Sequence, residues 1–219
     1  MPRDSTATKA TLLREAERLF ARHGIYQVTV REILEAAGQK NVSAINYHFR
    51  SREGVLDAIL IRHGDPTDIA RGEYLAAIGH DATTRDLVAS LVVPYASHLA
   101  TPEGRDYLRI VAQLSSRFST WRDPNPGTGP WLRKILGMLE ERPRDLPLVL
   151  RRERVIDLIM LMTVALAERA RAIEDGGVLE LDEALFTTNL TDVLVGVLEA
   201  PLRGALGTTR RARVARPTR

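Results

Sequence analysis

Apolar residues recur at intervals of three and four along almost the whole chain, and that spacing confines it to helices. Leu12, Ala16, Leu19 and Phe20 fall at i, i+4, i+7 and i+8, the stripe that stacks on one helical face, and Gly24 ends it. Val30, Ile33, Leu34 and Ala37 repeat the pattern up to Gly38. Val55, Leu56, Ile59 and Leu60 carry a third run, begun by Ser51 and predicted to end near His63-Gly64-Asp65-Pro66. Further amphipathic runs cover about 68–78, 84–100, 103–118, 130–141, 147–173 and 181–199. Alternating runs joined by turn dipeptides, which a sheet needs, are absent, so the expected fold is all-α. Asp123 to Pro130, with three prolines and two glycines, cannot hold helical backbone and reads as an exposed loop. Pro201 ends the last helix, and the arginine-rich residues 207–219 have too little apolar surface to order themselves.

Composition removes several function classes. The 219 residues include no cysteine, which excludes disulfides, zinc–thiolate sites and cysteine nucleophiles and makes a reducing cytoplasm the expected compartment. The N-terminus leads straight into a charged amphipathic run and is read as carrying no signal peptide. The most apolar stretch, Val155 to Ala167, contains Asp157 and falls short of the roughly 20 residues a membrane span needs, so a soluble protein with no membrane partner is expected. No two of the five histidines stand at metal-ligand spacing on one helix, and no phosphate loop, Gly-x-Ser-x-Gly elbow or dinucleotide fingerprint occurs. Glu140 and Glu141 would diverge by about 100° on a helix. The expected reading is therefore a non-enzyme without cofactor or metal.

Charge separates head from body. Residues 1–62 hold ten Lys/Arg against seven Asp/Glu, residues 63–199 fifteen against twenty-one, and the last twenty residues six arginines and no acid. Basic ends around an acidic middle suit a chain that grips a polyanion at one end. Arginine outnumbers lysine 28 to 3, which points to a GC-rich bacterial genome.

The most specific pattern lies between Thr29 and Arg52. Thr29-Val30-Arg31-Glu32 reads as a capping box that starts a short helix, and Gly38 stops it. After Gln39-Lys40, Asn41 can cap a second short helix running to about Phe49. On a wheel of about 100° per residue, Val42, Ile45 and Phe49 share one face and must go inward, since two turns cannot stand alone. Ser43, Ala44 and Tyr47 face the other way, with Asn46 and His48 on the flanks. That outer face carries small and hydrogen-bonding groups and no acid, as insertion into a major groove requires. Lys40 and Arg52 bracket it with positive charge for phosphates, and the next helix's N-terminus adds amides.

Thr29-Val30-Arg31-Glu32-Ile33, Ala37-Gly38 and Ile45-Asn46-Tyr47-His48-Phe49-Arg50-Ser51-Arg52-Glu53 together resemble the DNA-binding signature of the tetracycline-repressor (TetR) family over about residues 9–62. The resemblance implies a helix-turn-helix regulator in which Thr29 and Arg31 contact DNA from the second helix. It implies that Ser43, Ala44, Asn46, Tyr47 and His48 read or clamp DNA from the third, with Arg52 at the usual phosphate-binding lysine position. Lys40 and Asn41 belong to the same candidate set. The turn after Gly38 is one residue longer than the family's pattern, and Asn46 stands where tyrosine is common. An asparagine there either bonds a phosphate or reads adenine.

The expected organisation is a DNA-binding domain over residues 1–50, a helical ligand-binding and dimerisation domain over 51–206, and a disordered basic tail over 207–219. The tail either adds non-specific DNA affinity or is only a solvated end. A helix apolar nearly all round, such as Val155–Ala167, must be covered all round. Ile159, Met162 and Leu166, with the stripe Phe186, Leu190, Val193, Leu194 and Val197, are therefore the candidate homodimer face, a two-fold four-helix bundle that the resemblance also implies. Regulators of this family commonly bind a small molecule, and Tyr95, Tyr107, Val111, Leu114, Phe118, Trp121, Trp131 and Met162 are the candidate lining for an apolar or amphipathic effector. His98 and the Arg105–Arg109 pair are the polar candidates for orienting an acid. Repression needs no surface beyond the grip on DNA, so a repressor released by its ligand is expected. A helical adaptor without sequence-specific DNA binding is the rival, and an enzyme the more distant one.

Overall fold

A computed structural model describes residues 2–41, 43–115 and 126–202. Every regular element among them is helical. The head is built from α1 (Pro2–His23), α2 (Val30–Ala36) and α3 (Ser43–Phe49), seated on the start of α4 (Arg52–Ile78). Its core is the expected set of stripes: Leu12, Ala16 and Phe20 meet Ile33, Leu34, Ile45, Phe49, Val55 and Ile59, all buried. Gly24 and Gly38 end the first two helices with φ of 98° and 65°, the left-handed backbone that glycine adopts without a Cβ clash. Gly54 serves a different need. A Cβ there would lie 1.9 Å from the Phe49 carbonyl oxygen, so only glycine lets α3 sit on the first turn of α4.

The body holds α5 (Thr84–Ala96), a 3-10 turn (Ser97–Ala100), α6 (Pro102–Ser115), α7 (Pro130–Glu140), α8 (Leu148–Glu174) and α9 (Glu183–Glu199). α6 packs on α8 and on α1, α5 on α4 and α9, and α8 on α9. The expected continuation of α6 to 118, and the tail over 207–219, lie outside the described residues.

One expected break is not a break. α4 runs unbroken through His63-Gly64-Asp65-Pro66, merging the two helices that spacing separates. Pro66 has no N–H for the Arg62 carbonyl, a defect worth about 3 kcal/mol in an isolated helix. Neighbours hold the turn together. The Thr67 hydroxyl donates to His63 O at 2.7 Å, and Asp68 accepts the Trp131 and Leu132 amides of α7 at 3.0 and 2.7 Å. Gly64 is a point of close approach, since a Cβ would lie 2.8 Å from Gly127 Cα.

Two polar contacts tie head to body. The Gln113 side chain of α6 donates to Phe20 O at 3.1 Å and accepts from Ile25 N at 2.7 Å, gripping the end of α1 from both sides. Glu17 of α1, buried, meets His63 Nε2 at 2.5 Å and Arg62 at 3.4 Å on α4.

Candidate nucleic-acid interface

The start of α2 is locked by its own side chains. Thr29 Oγ1 accepts from Glu32 N at 3.3 Å, while Glu32 Oε2 accepts from Thr29 N and Thr29 Oγ1, each at 2.7 Å. These bonds hold the Glu32 carboxyl below its ordinary range. Arg31 beside them is exposed.

α3 is positioned by its buried face. Ile45 and Phe49 lie in the core, and Asn41 Oδ1 accepts from Ser43 N at 3.0 Å and Ser43 Oγ at 2.7 Å, closing the N-terminus. The remaining faces are then determined. Tyr47 stands 78% exposed, its ring braced edge-on by His48 at 4.8 Å, and Asn46 is exposed beside it. His48 and Ala44 are half-buried, Ala44 against the core, so Ala44 is turned further inward than the wheel places it. Lys40, Asn41 and Ser43 are exposed.

Arg52 has an occupation within the head. Its Nε donates to Val28 O at 2.7 Å, its guanidinium lies 5.1 Å from the centre of the Phe20 ring, and Nη1 is 3.6 Å from Glu53. A cation so engaged braces the junction of α1, α2 and α4. Exposed cations around α3 are instead Arg31, Lys40 and Arg50, with Lys9 of α1 over the Phe49 ring at 5.7 Å. Sequence reasoning passed over Arg50. It ends α3 with φ of 68°, its N–H donating to Asn46 O at 3.1 Å, where glycine or asparagine would be unstrained. An arginine in a glycine's position was the available signal.

Of the candidate effector residues the structure brings Tyr95 and Tyr107 together, their rings 6.1 Å apart. Tyr95, Tyr107 and Met162 are buried core, Val111, Leu114 and Trp131 are half-buried against it, and Phe118 and Trp121 lie outside the described residues. A described cavity of 490 Å³ lies instead where α1, α6 and α8 meet, among Arg22, His23, Arg109, Gln113, Glu168 and Arg171. Arg109 and Arg105 are engaged with Glu174 at 2.8 and 3.6 Å, which leaves neither as a free acid binder.

Most of the candidate dimer face is covered by the chain itself. Ile159, Met162, Leu166, Leu190 and Leu194 are buried in the chain's own core, and Phe186 and Val197 are half-buried. Only Val193 of the eight is exposed; the outward apolar residues are Leu148 and Val149 at the start of α8, Met160, Leu161 and Val164 in its middle, and Leu185 and Val193 on α9. No described helix is long and apolar enough to cross a membrane, and no described cluster of His, Asp and Glu could hold a metal.

Residues 12–59 match the model of the tetR family of bacterial regulatory proteins. Solved structures share the fold across most of the chain. One is a TetR-family transcriptional regulator from Rhodococcus sp., 17% identical, with 88% of this chain and 99% of that one covered at a TM-score of 0.50. Another is a tetR-family regulatory protein from Rhodococcus RHA1, 14% identical over 87% and 96% of the two chains, TM-score 0.54. A third is a gamma-butyrolactone receptor described as ArpA-like, 21% identical over 87% and 97%, TM-score 0.52. No curated protein matches the chain.

Proposed function

The chain belongs, through residues 12–59, to the tetR family of bacterial regulatory proteins, and from that premise we propose that it is a homodimeric repressor released from its operator by a small ligand. The observation that carries the reading is Tyr47. A phenol 78% exposed on a two-turn helix, with Ile45 and Phe49 beneath it fully used, has no place in the core and is free to meet base edges. α3 then enters the major groove, with Tyr47 and Asn46 reading bases and Arg31, Lys40 and Arg50 meeting phosphates. Residues 1–50 act as the reading head and 51–206 as the dimerising, ligand-binding body.

Among the exposed apolar residues of α8 and α9, Met160, Leu161, Val164, Leu185 and Val193 supply a face for a second copy. Two heads about 34–36 Å apart would address successive major grooves of a palindromic operator. Movement in the body would reach the head through Gln113, which holds the end of α1, and through α4, on which α3 sits. The similar fold of a gamma-butyrolactone receptor supports a small-molecule effector.

The decisive experiment selects bound fragments from a random DNA pool with purified protein. The expected outcome is one palindromic site with half-sites about one helical turn apart, bound about a thousandfold or more above background. Recovery of unrelated fragments with equal affinity would refute the reading.

A further inference from the structure

The body contains a buried cation whose nearest described carboxylate is only loosely placed. Arg71 lies in the middle of α4, 5% exposed. Burial pulls its pKa down, while Tyr107, Asp68 and Tyr95 act to raise it. An ionised side chain taken out of water destabilises the fold unless it is closely paired and hydrogen-bonded. Arg71 is neither. The nearest carboxylate oxygen, Asp68 Oδ1, is 3.9 Å away, and both Asp68 oxygens already accept α7 amides. The Arg71 Nε has no hydrogen-bond partner.

Tyr95 repeats the anomaly. It is 2% exposed and its hydroxyl also lacks a partner. Burial holds the phenol well above its ordinary range, so it can only donate to an anion. The neighbouring rings bring no negative charge. Burial, then His63 and Arg71, push His98 down to about 4, so its ring is neutral and shared with the Thr67 hydroxyl at 2.7 Å. Burial pushes Tyr107 up to about 12. Among the described residues the cluster therefore holds two donors without a partner and one cation whose nearest carboxylate stands 3.9 Å away and is already occupied.

We propose that Arg71 and Tyr95 form the head-group site for a small amphipathic carboxylate, whose oxygens pair with the guanidinium and accept from the Tyr95 hydroxyl. The proposal rests on the reading of the chain as a ligand-released regulator and specifies the ligand's chemistry. A carboxylate matches the planar guanidinium fork and supplies one negative charge to one cation. A phosphate dianion would overshoot beside Asp68, and a neutral amide or alcohol would leave the charge unbalanced. The rings of Tyr95 and Tyr107, edge to face at 6.1 Å, favour an apolar body behind the head group.

The test melts the full chain with decanoate, benzoate and phenylacetate, each beside its primary amide. At least one acid is expected to raise the melting temperature where its amide does not. Arg71→Met is expected to lose that rise while melting no lower than wild type when unliganded. Should Arg71→Met fail to fold, Tyr95→Phe decides: loss of one hydroxyl should weaken the same acid about tenfold, the weight of a charge-assisted hydrogen bond. The proposal is overturned if no acid stabilises the protein, if the amide serves as well, or if either folded variant keeps the acid's full effect. Operator binding is measured separately with the same acid. An acid that binds through Arg71 yet leaves operator DNA bound refutes ligand release and leaves the site standing.

Discussion

Replacing Arg50 by glycine should make the protein more stable and a poorer DNA binder, two effects of opposite sign from one change. Arg50 ends α3 at φ 68° with its side chain exposed, so the substitution removes no packing, and its N–H still reaches Asn46 O. A non-glycine residue in left-handed backbone costs about 1–2 kcal/mol. Glycine's greater freedom in the unfolded chain returns about 0.5–1 kcal/mol of that. The net gain is about 0.5–1 kcal/mol, or roughly 1–4 °C of melting temperature for a chain of this length. Loss of one phosphate contact should lower the slope of log affinity against log salt by about 0.9. Thermal melts followed by circular dichroism read the first effect, and operator titrations at three salt concentrations read the second. Arg50→Asn, which tolerates the same backbone, should behave alike. A lower melting temperature for the glycine variant would refute the strain reasoning. An unchanged salt slope would show that Arg50 meets no phosphate.

Tyr47→Ala should cut operator affinity at least about tenfold while leaving stability within about 0.5 kcal/mol, because the exposed ring touches only the edge of half-buried His48; affinity within about twofold of wild type would remove α3 from the groove. Asp106 is raised from 3.8 to about 6, first by burial and then by Glu174, so its stabilising protonated form is complete below 3.8 and lost as pH rises through about 6. Asp106→Asn should therefore raise the melting temperature at neutral pH and flatten its dependence between those values; an unchanged profile would refute this. Val164→Arg on the exposed face of α8 should yield a monomer of normal helicity in sedimentation, and a persistent dimer would place the interface elsewhere.

The head was legible because its determinants are local. Each of its helices declares an apolar stripe and a stop within its own residues, and the Thr29–Glu32 box closes over four positions. What escaped depends on partners remote in the chain. Pro66 reads as a terminator until Asp68 is seen capping α7 more than sixty residues on, with Gly127 pressed against Gly64. Arg52 reads as a cation for phosphate, a residue type at the right place, until the Val28 carbonyl claims its Nε. Arg71, three residues after Asp68, looks like an ordinary surface pair; only the packing of α5 and α6 over α4 puts it inside.

The dimer face shows a different limit. Between Val155 and Ala167 the apolar residues surround α8, so a helical wheel has no polar side from which to fix the inward direction. Stripe-counting therefore selected Ile159, Met162 and Leu166, the strongest set, and the strongest set is what the chain keeps for its own core. α9 behaves the same way, burying Leu190 and Leu194 and leaving Val193 outside. A second copy can claim only what the first fold leaves exposed, which is a weaker and more interrupted surface: in the middle of α8 Met160, Leu161 and Val164, with Leu185 and Val193 on α9. Residues chosen for apolarity alone will in such helices be assigned to the partner when they belong to the core. The diagnostic substitution must accordingly be made off the most apolar stripe, two positions from its nearest members, at Val164 and not at Leu166, where a charge would unfold the monomer before it could report on the dimer.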